Sequence, residues 1–97
     1  MIDAGTVLAR RPDVRFRRVD EEGVVFIQEQ ARVLGLNETG MKILERIDGV
    51  AAVGALLGDL APGLGVTEEK LEGDLFPFLE DLVGRGALEV VGREPAP

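Results

Sequence analysis

The sequence predicts an α+β domain in which a three-stranded antiparallel sheet is followed by a bundle of three helices. Between residues 14 and 36, apolar residues either alternate with polar ones or run continuously, as expected of strands. From residue 37 onward, apolar residues recur at spacings of three and four, as on one face of a helix. Strands grouped before helices are typical of α+β folds and not of folds that alternate the two elements.

The length and composition indicate one globular domain. The chain has 97 residues, of which 45% are hydrophobic and 30% charged, which is enough for a single core. We expect residues 1–13 to form a flexible N-terminal arm, 14–91 the folded domain and 92–97 a C-terminal tail. No apolar run approaches the roughly 18 residues of a membrane span, and no signal peptide is recognisable. We therefore expect a cytoplasmic protein with no membrane partner, in keeping with the absence of cysteine.

Three strands are predicted in the first part of the domain. Residues 14–19 alternate apolar and basic side chains, which is the pattern of a half-buried strand. The following turn ends at Gly23, where we expect a positive φ. Residues 24–29 are β-branched and aromatic on both faces, which favours the central strand. After a short connection at 29–31, residues 32–36 complete the sheet.

The first helix is predicted to begin after Asn37, a residue type that is among the best N-caps. It should end at Asp48-Gly49. Its inward-facing residues are predicted to be Gly40, Met41, Ile43, Leu44 and Ile47.

Two further helices follow. The second should span residues 52–61, without a side-chain cap, and end at Pro62-Gly63. The third should begin after Thr67 and run from 68 to 84, with a bend at Pro77.

The residue types that are missing exclude most enzyme mechanisms. The chain has no His, Cys, Ser, Tyr or Trp. Neither a Ser–His nor a Cys–His pair can form, and a transition-metal site would lack both imidazole and thiolate ligands. We therefore expect no catalytic residue, no metal and no cofactor, and a protein that is not an enzyme.

The distribution of charge bears on nucleic-acid binding, because a sheet beside three helices is a winged-helix-like layout and such layouts often bind DNA. The net charge is −7, yet residues 1–19 carry five arginines and only two aspartates. The third helix, which would enter a DNA groove, has one lysine against six carboxylates. The layout makes a winged-helix DNA-binding regulator the alternative hypothesis. Because phosphate contacts dominate DNA affinity and the third helix is acidic, we expect no nucleic-acid partner.

The third strand is an edge strand that lacks the usual protection. Its sequence, RVLGL at 32–36, has one terminal charge and no proline, and Gly35 leaves room for another backbone. Such an edge beside an apolar helix is suited to strand addition by a peptide. From the pattern alone, two alternatives remain open: the edge binds a peptide, or it is covered by the N-terminal arm or by residues 87–91. Dimerisation through the same edge is a further possibility.

Several segments together resemble one family. These are PDVRFR at 12–17, LNETG at 36–40, ILERIDG at 43–49 and GDLFPFLEDLVGRGAL at 73–88. The combination resembles PqqD and the PqqD-like recognition elements for precursors of ribosomally synthesised, modified peptides (RiPPs). Residues 24–31 lack the Ala-Pro-Glu turn that we associate with members of the pyrroloquinoline-quinone (PQQ) biosynthesis pathway.

The resemblance implies a non-catalytic peptide chaperone. Such a domain binds the leader of a ribosomally synthesised precursor peptide by strand addition to its third strand. It then presents the precursor to a modifying enzyme, often of the radical S-adenosylmethionine (radical SAM) type. We expect a monomer or a weak homodimer. The residues that the resemblance assigns to peptide binding are Arg32, Val33, Leu34, Gly35 and Leu36 on the strand, and Lys70, Leu71, Asp74, Leu75 and Phe78 on the third helix.

Overall fold

The computed structural model describes residues 2–93 and confirms the α+β class. A three-stranded antiparallel sheet precedes three helices, and a second, two-stranded sheet joins the two ends of the described chain. The elements in order are β1 (Thr6–Arg10), β2 (Val14–Val19), β3 (Glu22–Ile27), β4 (Arg32–Leu36), α1 (Glu38–Arg46), α2 (Val53–Leu64), α3 (Glu68–Gly84) and β5 (Leu88–Arg93). A single 3-10 turn, Gln28–Gln30, connects β3 to β4.

The main sheet has the order β2-β3-β4, with β3 in the centre as predicted. Val25 and Ile27 of β3 are buried on the side that faces the helices. The prediction of a positive φ at Gly23 was wrong, because the turn places Asp20 in that conformation, with φ 55°. Gly23 instead lies within β3, where an added Cβ would come within 2.6 Å of Cγ of Met41. The glycine therefore permits α1 to pack closely on the sheet.

The N-terminal residues form a strand, so the expectation of a flexible arm was wrong for residues 2–13. β1 pairs antiparallel with β5, with Leu8 opposite Val90. Ile2 and Leu8 are buried in the common core. β5 also continues to Arg93, two residues into the predicted tail, and residues 94–97 lie outside the described part. A pairing between strands about 80 residues apart has no local signature in the sequence.

Helix α1 follows the prediction closely. The Asn37 side-chain oxygen accepts a hydrogen bond from the N–H of Gly40 at 2.8 Å, which caps the helix. The predicted inner residues, Gly40, Met41, Ile43, Leu44 and Ile47, are all buried. The helix ends at Arg46 and packs on β3, β4 and α2.

Helix α2 is longer than predicted. It begins at Val53 without a side-chain cap and continues through Pro62 to Leu64. Gly65, with φ 70°, ends it, and the N–H of Val66 donates to the C=O of Ala61 at 3.2 Å. The prediction that Pro62 ends the helix was wrong because a proline near the end of a helix costs one backbone hydrogen bond and leaves the last turn free to close on a glycine.

Helix α3 supplies much of the core. The Thr67 hydroxyl accepts from the N–H of Lys70 at 3.2 Å and caps the helix as predicted. Its buried residues are Leu71, Leu75, Leu79 and Leu82, and the helix packs on α2 and β5. None of the helices in residues 2–93 combines the length and the apolar character needed to cross a bilayer.

Candidate functional site

A groove of about 500 Å³ lies between the end of β4, α1, the C-terminal end of α2 and α3. It opens to solvent beside the free edge of the main sheet. Its lining consists of Gly35, Leu36, Asn37, Thr39, Gly40, Ile43, Leu64, Val66, Lys70, Leu71, Asp74, Leu75 and Phe78.

Local sequence explains why three elements meet at this groove. The cap at Asn37 turns the chain from β4 directly into α1, so the helix starts where the edge strand ends. A Cβ at Gly40 would lie 3.3 Å from Cζ of Phe78 and 3.4 Å from Cβ of Leu36. Because only glycine leaves those contacts uncrowded, Gly40 brings α1, α3 and β4 together at one end of the groove.

The groove has an apolar floor and a charged rim. Ile43, Leu71 and Leu75 are buried at its base, while Leu36 and Phe78 are half-buried at its walls. Within residues 2–93, the exposed Lys70 and Asp74 form no ion pair with another side chain. The arrangement suits an extended segment that buries apolar side chains and meets charged groups at the rim.

The backbone N–H and C=O groups of successive strand residues point alternately to opposite sides, and this alternation determines which groups of β4 face the free edge. The N–H of Gln28, one residue beyond β3, donates to the C=O of Asp13 on the β2 side at 3.1 Å. Because successive N–H groups of a strand point to opposite sides, the N–H of Ile27 points to β4. Its partner on β4 is Arg32, whose N–H and C=O therefore point back to β3. The N–H and C=O groups of Val33 and Gly35 therefore face the free edge.

The N-terminal strand and the last strand leave this edge uncovered. β1 and β5 pair with one another, and in the part of the chain that the structure describes β4 pairs only with β3. The alternative that the edge is covered by the chain's own ends is therefore wrong for these residues. An unpaired edge and an apolar groove lie side by side.

The structure brings most of the predicted site residues together. Seven of the ten line the groove: Gly35, Leu36, Lys70, Leu71, Asp74, Leu75 and Phe78. The other three lie on β4 outside the groove lining. The side chain of Leu34 is half-buried on the helix side, Val33 is exposed on the opposite side, and Arg32 is exposed at the start of the strand. Their roles in binding stay predictions.

Six groove residues were not predicted from the sequence. Asn37, Thr39 and Gly40 belong to the LNETG segment, which was predicted to begin α1, with Gly40 facing inward, but not to line a binding site. The burial of Ile43 was predicted, but not its position at the groove. Leu64 and Val66 had no usable signal, because their placement depends on the extension of α2 past Pro62. Across residues 2–93, no group of three or more acidic side chains is placed to hold a metal ion.

Comparison with known proteins identifies the family. The family model described as Coenzyme PQQ synthesis protein D (PqqD) matches residues 22–88. The chain belongs to the PqqD family. A relative named PqqA binding protein, from Rhodopseudomonas palustris (strain BisB5), is 30% identical over 90 residues, which cover 93% of this chain and 85% of the relative.

A solved structure shares the PqqD-like fold. The structure of TbiB1 in complex with the TbiA(beta) leader peptide matches with a TM-score of 0.74 and 22% sequence identity, over 84% of this chain and 94% of that one. The PqqD family match runs from the start of β3 to the first residue of β5. All the elements that line the groove therefore fall within the part of the chain that carries the family pattern.

Proposed function

We propose that this PqqD-family protein is a non-catalytic chaperone for the leader of a ribosomally synthesised precursor peptide. The leader binds as an added strand on β4, and the protein presents the precursor to a modifying enzyme of the radical SAM class. The observation that carries the proposal is the unpaired edge of β4 directly beside an apolar groove.

The geometry gives each part of the leader a partner. Val33 and Gly35 offer two N–H donors and two C=O acceptors, enough for up to four backbone hydrogen bonds. In an added strand, every second side chain points to the helix side of the sheet and so enters the groove over Leu71 and Leu75. Lys70 and Asp74 at the rim meet charged leader residues. Backbone bonds give affinity and the groove gives sequence preference.

Two known proteins support this class of ligand. The relative from Rhodopseudomonas palustris is named for binding PqqA, and the TbiB1 structure contains a leader peptide. The composition supports a role without catalysis, since the chain has no His, Cys or Ser to act as nucleophile or base.

The DNA-binding alternative gains no support from the surface of α3. The six carboxylates of the helix are all exposed, and the helix carries a single lysine. A helix with this charge is repelled by phosphates, so it cannot serve as a recognition helix. The exposed acidic residues are Glu68, Glu69, Glu72, Asp74, Glu80 and Asp81.

A proline substitution tests the proposal. Val33→Pro removes one edge N–H and leaves the ladder to β3 intact, because proline is tolerated where the N–H faces away from the sheet. The leader then keeps an unpaired carbonyl, which costs about 1–3 kcal/mol, or about 5- to 150-fold in Kd. The measurement is calorimetric titration with the leader peptide of the precursor encoded beside the gene.

Arg18→Pro is the matched control. By the same alternation, the N–H of Arg18 points outward at the opposite edge of the sheet, on β2. This variant should bind the leader within about twofold of the unsubstituted protein. It loses the ion pair between Arg18 and Glu45, but that pair is exposed and contributes little to stability. Equal weakening by both prolines, or by neither, would contradict strand addition to β4.

A further inference from the structure

The side of the main sheet that faces away from the helices carries an ordered pattern of side chains. Arg15 of β2, Phe26 of β3 and Val33 of β4 are cross-strand neighbours in one row. Arg17 and Val24 begin the next row, which ends at Gly35. We call the side chains of Arg15, Arg17, Val24, Phe26 and Val33 the outer face.

The outer face is apolar and exposed towards β4. Phe26 is 40% exposed and Val33 57% exposed, and they are adjacent on neighbouring strands. Contiguous exposed apolar side chains rimmed by charge are a feature of protein interaction sites. Aromatic residues and arginine are also the types enriched at such interfaces.

The two arginines of this face are free to meet a partner. In residues 2–93, Arg11 and Arg18 form ion pairs with carboxylates, whereas Arg15 and Arg17 form none. Among residues 2–93, the Arg15 side chain donates only to backbone carbonyls, of Pro12 at 3.1 Å and of Val14 at 3.3 Å. On a chain of net charge −7, this local positive charge selects a partner surface that carries carboxylates.

We propose that the outer face docks the enzyme that modifies the precursor, through an enzyme surface with an apolar centre and carboxylates opposite Arg15 and Arg17. This inference rests on the proposed function, since it supposes that a leader occupies β4. Two arginines on an acidic protein are too few for a nucleic-acid site, which needs several phosphate contacts.

The outer face is continuous with the leader site. Val33 directs its side chain to the outer face and its N–H to the free edge. A leader strand on β4 therefore extends the face by one strand, and its outward side chains lie beside Val33. The enzyme contacts carrier and leader together, so it binds the loaded protein more tightly than the empty one. By linkage, the enzyme tightens leader binding by the same factor.

The test uses a double substitution away from the leader site. Phe26→Thr with Arg17→Glu removes the exposed ring and reverses one charge, on strands that the leader does not touch. Val90→Thr with Arg46→Glu is the matched control, since Val90 is 56% exposed on β5 and Arg46 is exposed on α1 without an ion pair in residues 2–93. The probes are the leader peptide and the purified modifying enzyme encoded beside the gene. Affinities are measured by titration and oligomeric state by sedimentation.

The outer-face variant should bind the leader within about twofold of the unsubstituted protein and bind the enzyme at least about tenfold more weakly, while the control variant retains both affinities. Enzyme binding within twofold in the outer-face variant overturns the docking proposal. So does a parallel loss of leader and enzyme affinity, or a homodimer of the unsubstituted chain that the variant dissociates. Failure of the unsubstituted protein to bind the leader at all is a different result, which overturns the proposed function itself.

Discussion

Gly23→Ala should destabilise the protein through one contact that holds α1 against the sheet. An added Cβ would approach within 2.6 Å of both Cγ and Cε of Met41, which is 0% exposed. Inserting a methyl group into such a packed position costs about 1–3 kcal/mol. The effect reaches the groove, because Met41 neighbours Gly40 at the start of α1.

Gly35→Ala isolates the cost of this clash. It makes the same change on the adjacent strand, but no heavy atom in the described part of the chain lies within 4 Å of an added Cβ at Gly35. A strand glycine loses more backbone entropy on folding than alanine does. Both substitutions remove this extra loss, which stabilises the folded state by a similar amount, about 0.5–1 kcal/mol. The difference in unfolding free energy between them should therefore be about 1–3 kcal/mol, which separates their Tm values by roughly 5–20 °C in a domain of this size.

Urea unfolding and thermal unfolding, both followed by circular dichroism, measure this difference. Gly35→Ala should be as stable as the unsubstituted protein or slightly more so, and Gly23→Ala should be the less stable of the two. Equal stability of the two variants would refute the close packing of Met41 on β3, and with it the reason given for glycine at position 23.

Two further predictions concern the groove and the pH dependence of stability. Phe78→Ala should weaken leader binding by about 1–2 kcal/mol, or roughly 5- to 30-fold in calorimetric titration, because Phe78 forms a groove wall. Phe76 is half-buried on α3 outside the groove, so Phe76→Ala should weaken leader binding less than about twofold. The N–H groups of Ala51 and Val50 donate hydrogen bonds to the Asp48 carboxylate and lower its pKa from the ordinary value of an aspartate. A carboxyl whose pKa is lower in the folded than in the unfolded protein stabilises the fold at pH values above its unfolded-state pKa. This stabilisation is lost as the pH falls through its folded-state pKa. Urea unfolding from pH 6 to pH 3 should therefore show a smaller acid loss for Asp48→Asn than for the unsubstituted protein, and equal losses would contradict the role of the Asp48 carboxylate.

Local signals account for the parts of the fold that were predicted correctly. The bounds of β4 follow from a short apolar run between charged and capping residues, and the start of α1 follows from Asn37. The seven predicted binding residues that line the groove came from the family resemblance, which implied a leader between β4 and α3, and their role in binding stays a prediction. The apolar pattern of α3 alone would have assigned Leu71 and Leu75 to ordinary core packing.

The parts that were missed depend on contacts between distant residues. Nothing near Thr6–Arg10 indicates that its partner is β5, so the chain's beginning looked like an arm. Gly23 looked like a turn glycine because it directly follows three acidic residues at 20–22, whereas a glycine is needed there because the distant Met41 packs against it. Likewise, Leu64 and Val66 reach the groove only because α2 continues past Pro62.

Amide hydrogen exchange of isotope-labelled protein, with and without the leader peptide, tests strand addition to β4 most directly. Alternation predicts that the amides of Val33 and Gly35 exchange rapidly in the free protein and become protected in the complex. The amides of Arg32 and Leu34 already bond to β3, so they should change little. Protection that appears instead on β2 or on the β1–β5 pair, or no new protection at Val33 and Gly35 when the leader is bound, would contradict the account.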